Sequence, residues 1–248
     1  MTRPLTLVTG GTRGIGAAVA LRLAAEGHDL VLGFRQDAGA AEECRLAVGD
    51  AGAGCHVVRA DVSRPDGVDQ LFARAAEVGR VTGVVNNAGA TLHVGPLADT
   101  PVDVVEETVR LNLTGALLVA RAAVRTMARS RGGAGGVLVN ISSGAATLGS
   151  PGEYVQYAAA KAGVDALTLG LAQEVAADGV RVVGVAPGIV ETRIHADAGE
   201  PGRVDRVGPL VPLGRAGRPA EVAEAVAWLM GDAASYVTGT TLRVAGGR

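Results

Sequence analysis

Residues 5–26 leave this chain few ways to fold. Leu5-Thr6-Leu7-Val8 is an apolar, β-favouring run, and Thr9-Gly10-Gly11-Thr12-Arg13-Gly14-Ile15-Gly16 follows it directly. The Ala- and Leu-rich stretch from Ala17 to Glu26 has helical composition, and Gly27 is placed to close it. The order is strand, glycine turn, helix. Glycines let such a turn close and let a phosphate approach the backbone, while the helix start offers unpaired N–H groups and a favourable dipole. A glycine cluster alone marks only a turn. Between a strand and a helix it predicts a dinucleotide-binding unit, with Gly10, Thr12, Arg13, Gly14, Ile15 and Gly16 along the phosphate path.

The rest of the chain repeats this alternation. Candidate strands fall at 5–9, 29–34, 55–60, 83–86, 137–142, 181–186 and 241–244. Helical stretches lie near 14–26, 38–48, 65–78, 102–112, 114–131, 155–178 and 219–230. The pattern predicts an α/β fold, a doubly wound Rossmann arrangement with a mostly parallel seven-stranded sheet covered by helices on both faces. No linker divides the 248 residues, so a single domain over 1–248 is expected. Ligands in this architecture sit beyond the carboxyl ends of the strands. Gly10, Arg35, Asp61, Asn87, Ser143 and Pro187 each end or follow a candidate strand.

Composition narrows the partners. The chain is 48% hydrophobic but only 2% aromatic, which implies a core of Ala, Val and Leu. No apolar run approaches the ~20 residues of a membrane span, and the N-terminus lacks a signal-peptide pattern. A net charge of −2 gives no electrostatic case for nucleic acid. Cys44 and Cys55 are unclustered thiols, consistent with a reducing, cytoplasmic setting, and the four histidines show no metal-ligand spacing. No metal site is expected.

Tyr157 and Lys161 stand one helical turn apart in Tyr157-Ala158-Ala159-Ala160-Lys161. Positions i and i+4 share a helix face, so the ammonium can approach the phenol. A free phenol has a pKa near ~10, and a nearby cation favours its ionised form. A tyrosine tuned in this way exchanges a proton with an alcohol oxygen.

The turn Thr9-Gly10-x-x-x-Gly14-x-Gly16, Asn86-Asn87-Ala88-Gly89, Ser143, the Tyr157/Lys161 pair and Pro187-Gly188 occur in one order at compatible spacing. With these motifs the chain resembles the short-chain dehydrogenase/reductase family, in its single-domain branch, from Leu5 to the tail Thr238-Gly239-Thr240-Thr241-Leu242-Arg243-Val244. The resemblance implies hydride transfer between a nicotinamide cofactor and a carbonyl or secondary alcohol. It implies a catalytic set of Asn112, Ser143, Tyr157 and Lys161. Ser143 would bind the substrate oxygen and Tyr157 would exchange the proton. Lys161 would lower the tyrosine pKa and hold the nicotinamide ribose, and Asn112 would support a water relay behind it. Asp61 and Val62 match positions that hold the adenine, and Asn87 and Gly89 match the motif lining the cofactor. Ile189 and Thr192, after Pro187-Gly188, match the carboxamide end. One departure stands out: Ser143 precedes Tyr157 by fourteen residues, one more than is usual in the family. That makes Ser142 a rival and puts an extra residue in the loop Gly149-Ser150-Pro151-Gly152-Glu153-Tyr154.

Cofactor choice turns on the end of the second strand, where NAD binders place an acid and NADP binders a cation. Phe34 occupies the acidic position, Arg35 follows it, and Arg13 lies in the glycine turn. Both guanidiniums suit a 2′-phosphate, so NADP(H) is expected over NAD(H), with Asp37 the residue that argues the other way. Glu191 to Val207, rich in Gly, Ala and charge, predicts a mobile substrate lid, with Tyr154 as a pocket wall or a surface aromatic and His195 as a polar lid residue. Arg121, Arg125 and Arg129 recur at i+4 as a solvated basic face or as a docking patch for an acidic acyl carrier protein, the latter making a 3-oxoacyl-[acyl-carrier-protein] reductase. The family resemblance implies a homotetramer, in which small residues on 158–172 (Ala158, Ala159, Ala160, Ala162, Gly163, Ala166, Gly170) would let helices approach closely. A non-catalytic NADP-binding regulator is the alternative of another class. Such proteins typically lose the Tyr or the Lys, and this chain keeps both.

Overall fold

Seven apolar runs pair side by side in the computed structural model, which describes residues 3–248. They are β1 (Leu5–Val8), β2 (Asp29–Phe34), β3 (Cys55–Arg59), β4 (Val81–Asn86), β5 (Gly136–Ile141), β6 (Val180–Pro187) and β7 (Thr241–Val244). Their order is β3-β2-β1-β4-β5-β6-β7, and every neighbouring pair is parallel. The chain builds outward from β1 to β3, then crosses back to β4 on the other side of β1. That reversal opens a crevice beyond the carboxyl ends of β1 and β4.

The helices are α1 (Gly14–Ala25), α2 (Ala38–Asp50), α3 (Pro65–Val78), α4 (Val102–Val109), α5 (Gly115–Met127), α6 (Ala145–Leu148), α7 (Val155–Val175), α8 (Arg203–Val207) and α9 (Pro219–Met230). Successive strand residues point to opposite faces, so both faces must be covered. Val8, Leu32, Val85, Val139 and Val183 pack with apolar residues of α1, α2 and α9. Leu7, Val31, Val84, Leu138 and Val182 pack with those of α3, α5 and α7. Between β4 and β5 the interior polar side chains are paired: the Asn86 amide donates to Asn140 Oδ1 and Ala116 O, and the Asn140 amide to Thr168 Oγ1. Among the described residues no helix is long and apolar enough to cross a membrane.

The structure departs from the sequence reading mainly at helix ends. The expected helix over 102–112 stops at Val109, and a wide π turn, Arg110–Thr114, leads directly into α5. Leu113 of that turn packs on Gly163, where an added Cβ would lie 2.8 Å from Leu113 Cδ1. The stretch 114–131 is also broken: α5 ends at Met127 and a 3-10 turn covers Arg129–Arg131. Arg129, still exposed, therefore lies beyond the helix that carries Arg121 and Arg125, and its guanidinium lies against Gly179. The continuous three-arginine stripe is not formed. On α7, Ala158 and Ala160 are buried in the subunit, so the small outward face reduces to Ala159, Ala162, Ala166 and Gly170, beside half-buried Gly163. The helices α6 and α8, of 4 and 5 residues, are too short to show periodicity in sequence.

Candidate active site and nucleotide cavity

A cavity of about 610 Å³ runs along the carboxyl ends of the strands. In sheet order its wall takes Asp61 and Val62 after β3, Arg35 after β2, and Gly10, Thr12, Arg13, Gly14 and Ile15 after β1. Asn87 and Gly89 follow β4, Ser143 follows β5, and Pro187, Gly188, Ile189 and Thr192 close the β6 side. Tyr157 and Lys161 reach the same wall from α7. Gly16 and Asn112 do not line the cavity; both stand behind it and shape it.

The glycine turn has the geometry a phosphate requires. Gly10 (φ 59°) and Gly14 (φ 52°) are left-handed. At Gly16 a Cβ would fall 2.1 Å from Gly10 O, so the turn closes only without a side chain there. The Asn87 amide donates to Thr9 O (2.9 Å) and Gly10 O (3.0 Å), and Thr9 Oγ1 accepts from the N–H groups of Asn87 and Ala88. These bonds tie the β1 and β4 loops together. No side chain caps the start of α1, which leaves its first N–H groups facing the cavity end of the turn. A dinucleotide fits this donor set.

At the β2–β3 end, Arg13 and Arg35 are half-exposed and their ion pairs are loose: 3.9 Å to Asp37, 4.0 Å to Asp197 and 3.8 Å to Glu107. Asp37 Oδ1 is engaged in capping α2 through Ala40 N–H (3.0 Å). Asp61 accepts from the Ser63 N–H and hydroxyl. Burial works against its ionisation, but these bonds, with Arg35 and Arg110 nearby, hold its carboxyl below the usual range.

At the other end the Tyr157 phenol is buried beside Ser143. Ser142, the rival serine, is buried with its hydroxyl on Lys161 O (3.3 Å), whereas Ser143 Oγ accepts from Ala145 N–H (3.1 Å) on the cavity wall. Lys161 Nζ donates to Ile141 O (2.8 Å) and lies 5.7 Å from the Tyr157 ring centroid. Burial raises the phenol pKa above its ordinary value against the opposing effect of Ser143, and burial lowers Lys161 to about 8. The expectation that Lys161 depresses the tyrosine is therefore not met by this geometry: desolvation outweighs a cation turned toward a carbonyl. Asn112, in the π turn, accepts from Ala90 N–H and donates to Ala90 O (2.8 Å) and Thr108 O (2.9 Å). A Cβ at Gly89 would lie 2.6 Å from Asn112 Oδ1 and 3.3 Å from Lys161 Nζ, so the three meet behind the wall.

The segment 191–207 covers this end and is anchored to it. Arg203, only 1% exposed, forms a fork on Glu153 (2.9 and 2.5 Å), bonds Glu200 (2.9 Å), and donates to the Tyr154 hydroxyl (2.9 Å). Tyr154 is thus a buried pocket wall: its ring meets Tyr157 edge-on at 5.6 Å and stacks with His195 at 6.4 Å. Burial, with Arg203 nearby, pushes His195 down to about 4, so its ring is neutral. Leu92 (φ 62°) and Ser150 (φ 48°), the non-glycine residues with left-handed backbone among those described, both line the cavity. Sequence reading passed over Leu92 and gave Arg203 no partner. The Glu200–Arg203 spacing of i+3 is visible in sequence, but Glu153, fifty residues upstream, carries no signal of its role.

Comparison with known proteins agrees with this geometry. A family model described as enoyl-(acyl carrier protein) reductase matches residues 10–248. The chain is 44% identical over 245 residues to the uncharacterized oxidoreductase YgfF of Escherichia coli K12, covering 98% of this chain and 99% of that one. It is 37% identical over 249 residues to a 3-oxoacyl-[acyl-carrier-protein] reductase of Synechocystis, covering 100% and 97%. A crystal structure of a short-chain dehydrogenase from Burkholderia cenocepacia in complex with NADP superposes with a TM-score of 0.89 at 31% identity, covering 98% and 97%. The chain belongs to the short-chain dehydrogenase/reductase family. It is an oxidoreductase acting on alcohol or carbonyl groups, in a family that uses a nicotinamide dinucleotide.

Proposed function

We propose that this protein interconverts a ketone and its secondary alcohol with NADP(H). The observation that carries the reading is the convergence of Ser143, Tyr157 and Lys161 at one end of a cavity whose other end holds Arg13 and Arg35. A bound nicotinamide supplies or accepts the hydride. The rest belongs to the chain: Ser143 holds the substrate oxygen, the Tyr157 hydroxyl gives it a proton in reduction, and the Tyr157 phenolate takes one back in oxidation. Lys161 is the cation beside that exchange, and Asn112 fixes the β4 loop behind it as a positioning residue. The segment 191–207 serves as the lid that keeps water from the reacting carbon. Glycine-turn donors, Asp61, Val62, Asn87, Gly89, Ile189 and Thr192 hold the nucleotide.

Preference for NADP(H) over NAD(H) rests on Arg13 and Arg35, because a guanidinium matches a 2′-phosphate and repays its charge. In Arg35→Asp the Michaelis constant for NADPH should rise about tenfold or more, with that for NADH falling, as loss of a charge-assisted pair requires. An unchanged NADPH constant removes the assignment. We also propose a homotetramer packed through α5 and α7, supported by the outward Ala159, Ala162, Ala166 and Gly170; a monomer by light scattering at micromolar concentration counts against it. A second reading, reduction of a 3-oxoacyl group on an acyl carrier protein, is favoured by the Synechocystis relative and by exposed Arg121 and Arg125. Equal turnover of carrier-bound and truncated thioesters, unaffected by charge reversal at Arg121 and Arg125, would remove it.

A further inference from the structure

Not every cation on the cavity wall is absorbed by the nucleotide. Arg13 and Arg35 stand at the β1–β2 end, Lys161 sits beside Tyr157, and Arg193 pairs with Asp197 at 3.4 Å. Arg243, on β7, is different. Its guanidinium donates to Thr147 Oγ1 (2.7 Å) and Gly144 O (3.4 Å), both neutral, and forms no ion pair among the described residues. It lies beside Gly144, the residue after Ser143: a Cβ there would be 3.5 Å from Arg243 Nη2. Arg248 lines the same cavity. The acids on the cavity wall lie elsewhere or are paired: Asp37 and Asp61 at the nucleotide end, and Asp197 between Arg13 and Arg193.

A second observation points the same way. His195 Nδ1 is buried on the cavity wall with no hydrogen-bond partner. A buried polar atom without a partner costs free energy unless something supplies the bond. The cavity beside Tyr157 therefore carries an exposed guanidinium that has no ion pair among the described residues and an imidazole nitrogen that has no hydrogen bond, with Leu92, Leu148 and Tyr154 among its walls.

We propose that the substrate is an anion: a keto acid, or the matching hydroxy acid, whose carboxylate binds Arg243 while its carbonyl lies on Ser143 and Tyr157. This rests on the oxidoreductase reading above and adds the charge of the substrate. A planar guanidinium held by two neutral acceptors keeps free N–H groups for a carboxylate, and a charged pair at the mouth also draws the substrate in. Arg248 adds to the positive field at the rim.

The test compares a cyclic keto acid with its methyl ester. In wild type the acid should have a kcat/KM about 10- to 100-fold above the ester, the range a charge-assisted bond supplies. In Arg243→Leu that ratio should collapse to near one, and Arg243→Lys should restore part of it. A wild-type ratio near one, or an Arg243→Leu variant that keeps the wild-type ratio, overturns the proposal. Binding of benzoate against benzamide to the NADPH complex, read by nucleotide fluorescence, gives a measurement independent of turnover. Wild type should prefer benzoate and Arg243→Leu should not; equal binding of both probes to wild type overturns the proposal. If neither ketone is turned over while benzoate selectivity depends on Arg243, the anion site stands and the redox reading falls.

Discussion

Tyr157→Phe should lose about 10²- to 10⁴-fold in kcat, the usual weight of one positioned proton donor. The substitution keeps the ring, and with it the edge-on contact to Tyr154 at 5.6 Å, and removes only the hydroxyl. NADPH affinity should fall far less than turnover, because on the proposed reading the glycine turn and the β2–β4 loops would carry most of the nucleotide contacts. The physical ground is the phenol's environment: burial raises its pKa, so it remains a protonated donor across the neutral range. Steady-state rates with NADPH and any accepted ketone, set beside a fluorescence titration of NADPH, separate the two effects. Activity above about a tenth of wild type in the variant would deny Tyr157 the role of proton donor.

Arg203 gives the second large effect. Its side chain is 1% exposed, while Glu153 and Glu200 are 27% and 24% exposed. Removing a buried partner costs about 3–5 kcal/mol; Glu153 loses its ion pair while Glu200 keeps Arg206, and the partial exposure of the two carboxylates puts Arg203→Met near the lower end. Glu153→Gln should cost less, because Glu200 still pairs with Arg203. The loss should not be confined to stability. Without Arg203 the Tyr154 hydroxyl loses its donor and the ring loses the guanidinium over it at 4.9 Å, so the pocket wall beside Tyr157 loosens. The Michaelis constant for substrate should rise more than kcat falls. A pH dependence follows with a definite sign. Hydrogen bonds from Arg203, against the opposing cost of burial, hold the Glu153 carboxyl below its ordinary 4.5. The folded chain therefore releases that proton more readily than the unfolded one. The contribution of the pair is complete above the unfolded value and lost as pH falls through the depressed folded value. Urea unfolding of wild type and Glu153→Gln at neutral and acid pH checks it: the gap between them should narrow in acid. A constant gap would show that the pair is not the source.

Much of the fold was legible because its cause is periodic. Apolar runs such as Leu30-Val31-Leu32 and Val182-Val183, alternating with helical stretches, read as parallel strands buried on two faces, and the glycine turn between β1 and α1 has a fixed mechanical meaning. Motif residues from Gly10 to Thr192, other than Gly16 and Asn112, gather on one cavity because strand ends in a doubly wound sheet share one edge. What escaped the sequence depends on contacts distant along the chain. The break at Val109 and the π turn after it reflect how Asn112 must reach Ala90, and no local propensity encodes that reach. Arg129 leaves its helix to lie against Gly179, fifty residues on. The segment 191–207 reads as polar and loose by composition, yet Arg203 and His195 within it are buried, because Glu153 and Tyr154 from a separate loop complete their surroundings. Likewise, an i+4 tyrosine and lysine share a face without the lysine controlling the phenol, since Nζ is turned to Ile141 O.

The central claim is direct hydride transfer from NADPH to a carbonyl carbon in the cavity under Tyr157. Its most direct test is turnover of a ketone panel with NADPH carrying deuterium at nicotinamide C4, each C4 epimer in turn, with mass analysis of the alcohol formed. The account predicts one deuterium on the carbinol carbon from one epimer only, and no labelled alcohol from Tyr157→Phe above a small residue. Alcohol formed without label from either epimer, or labelled alcohol formed by the variant at the wild-type rate, would contradict it.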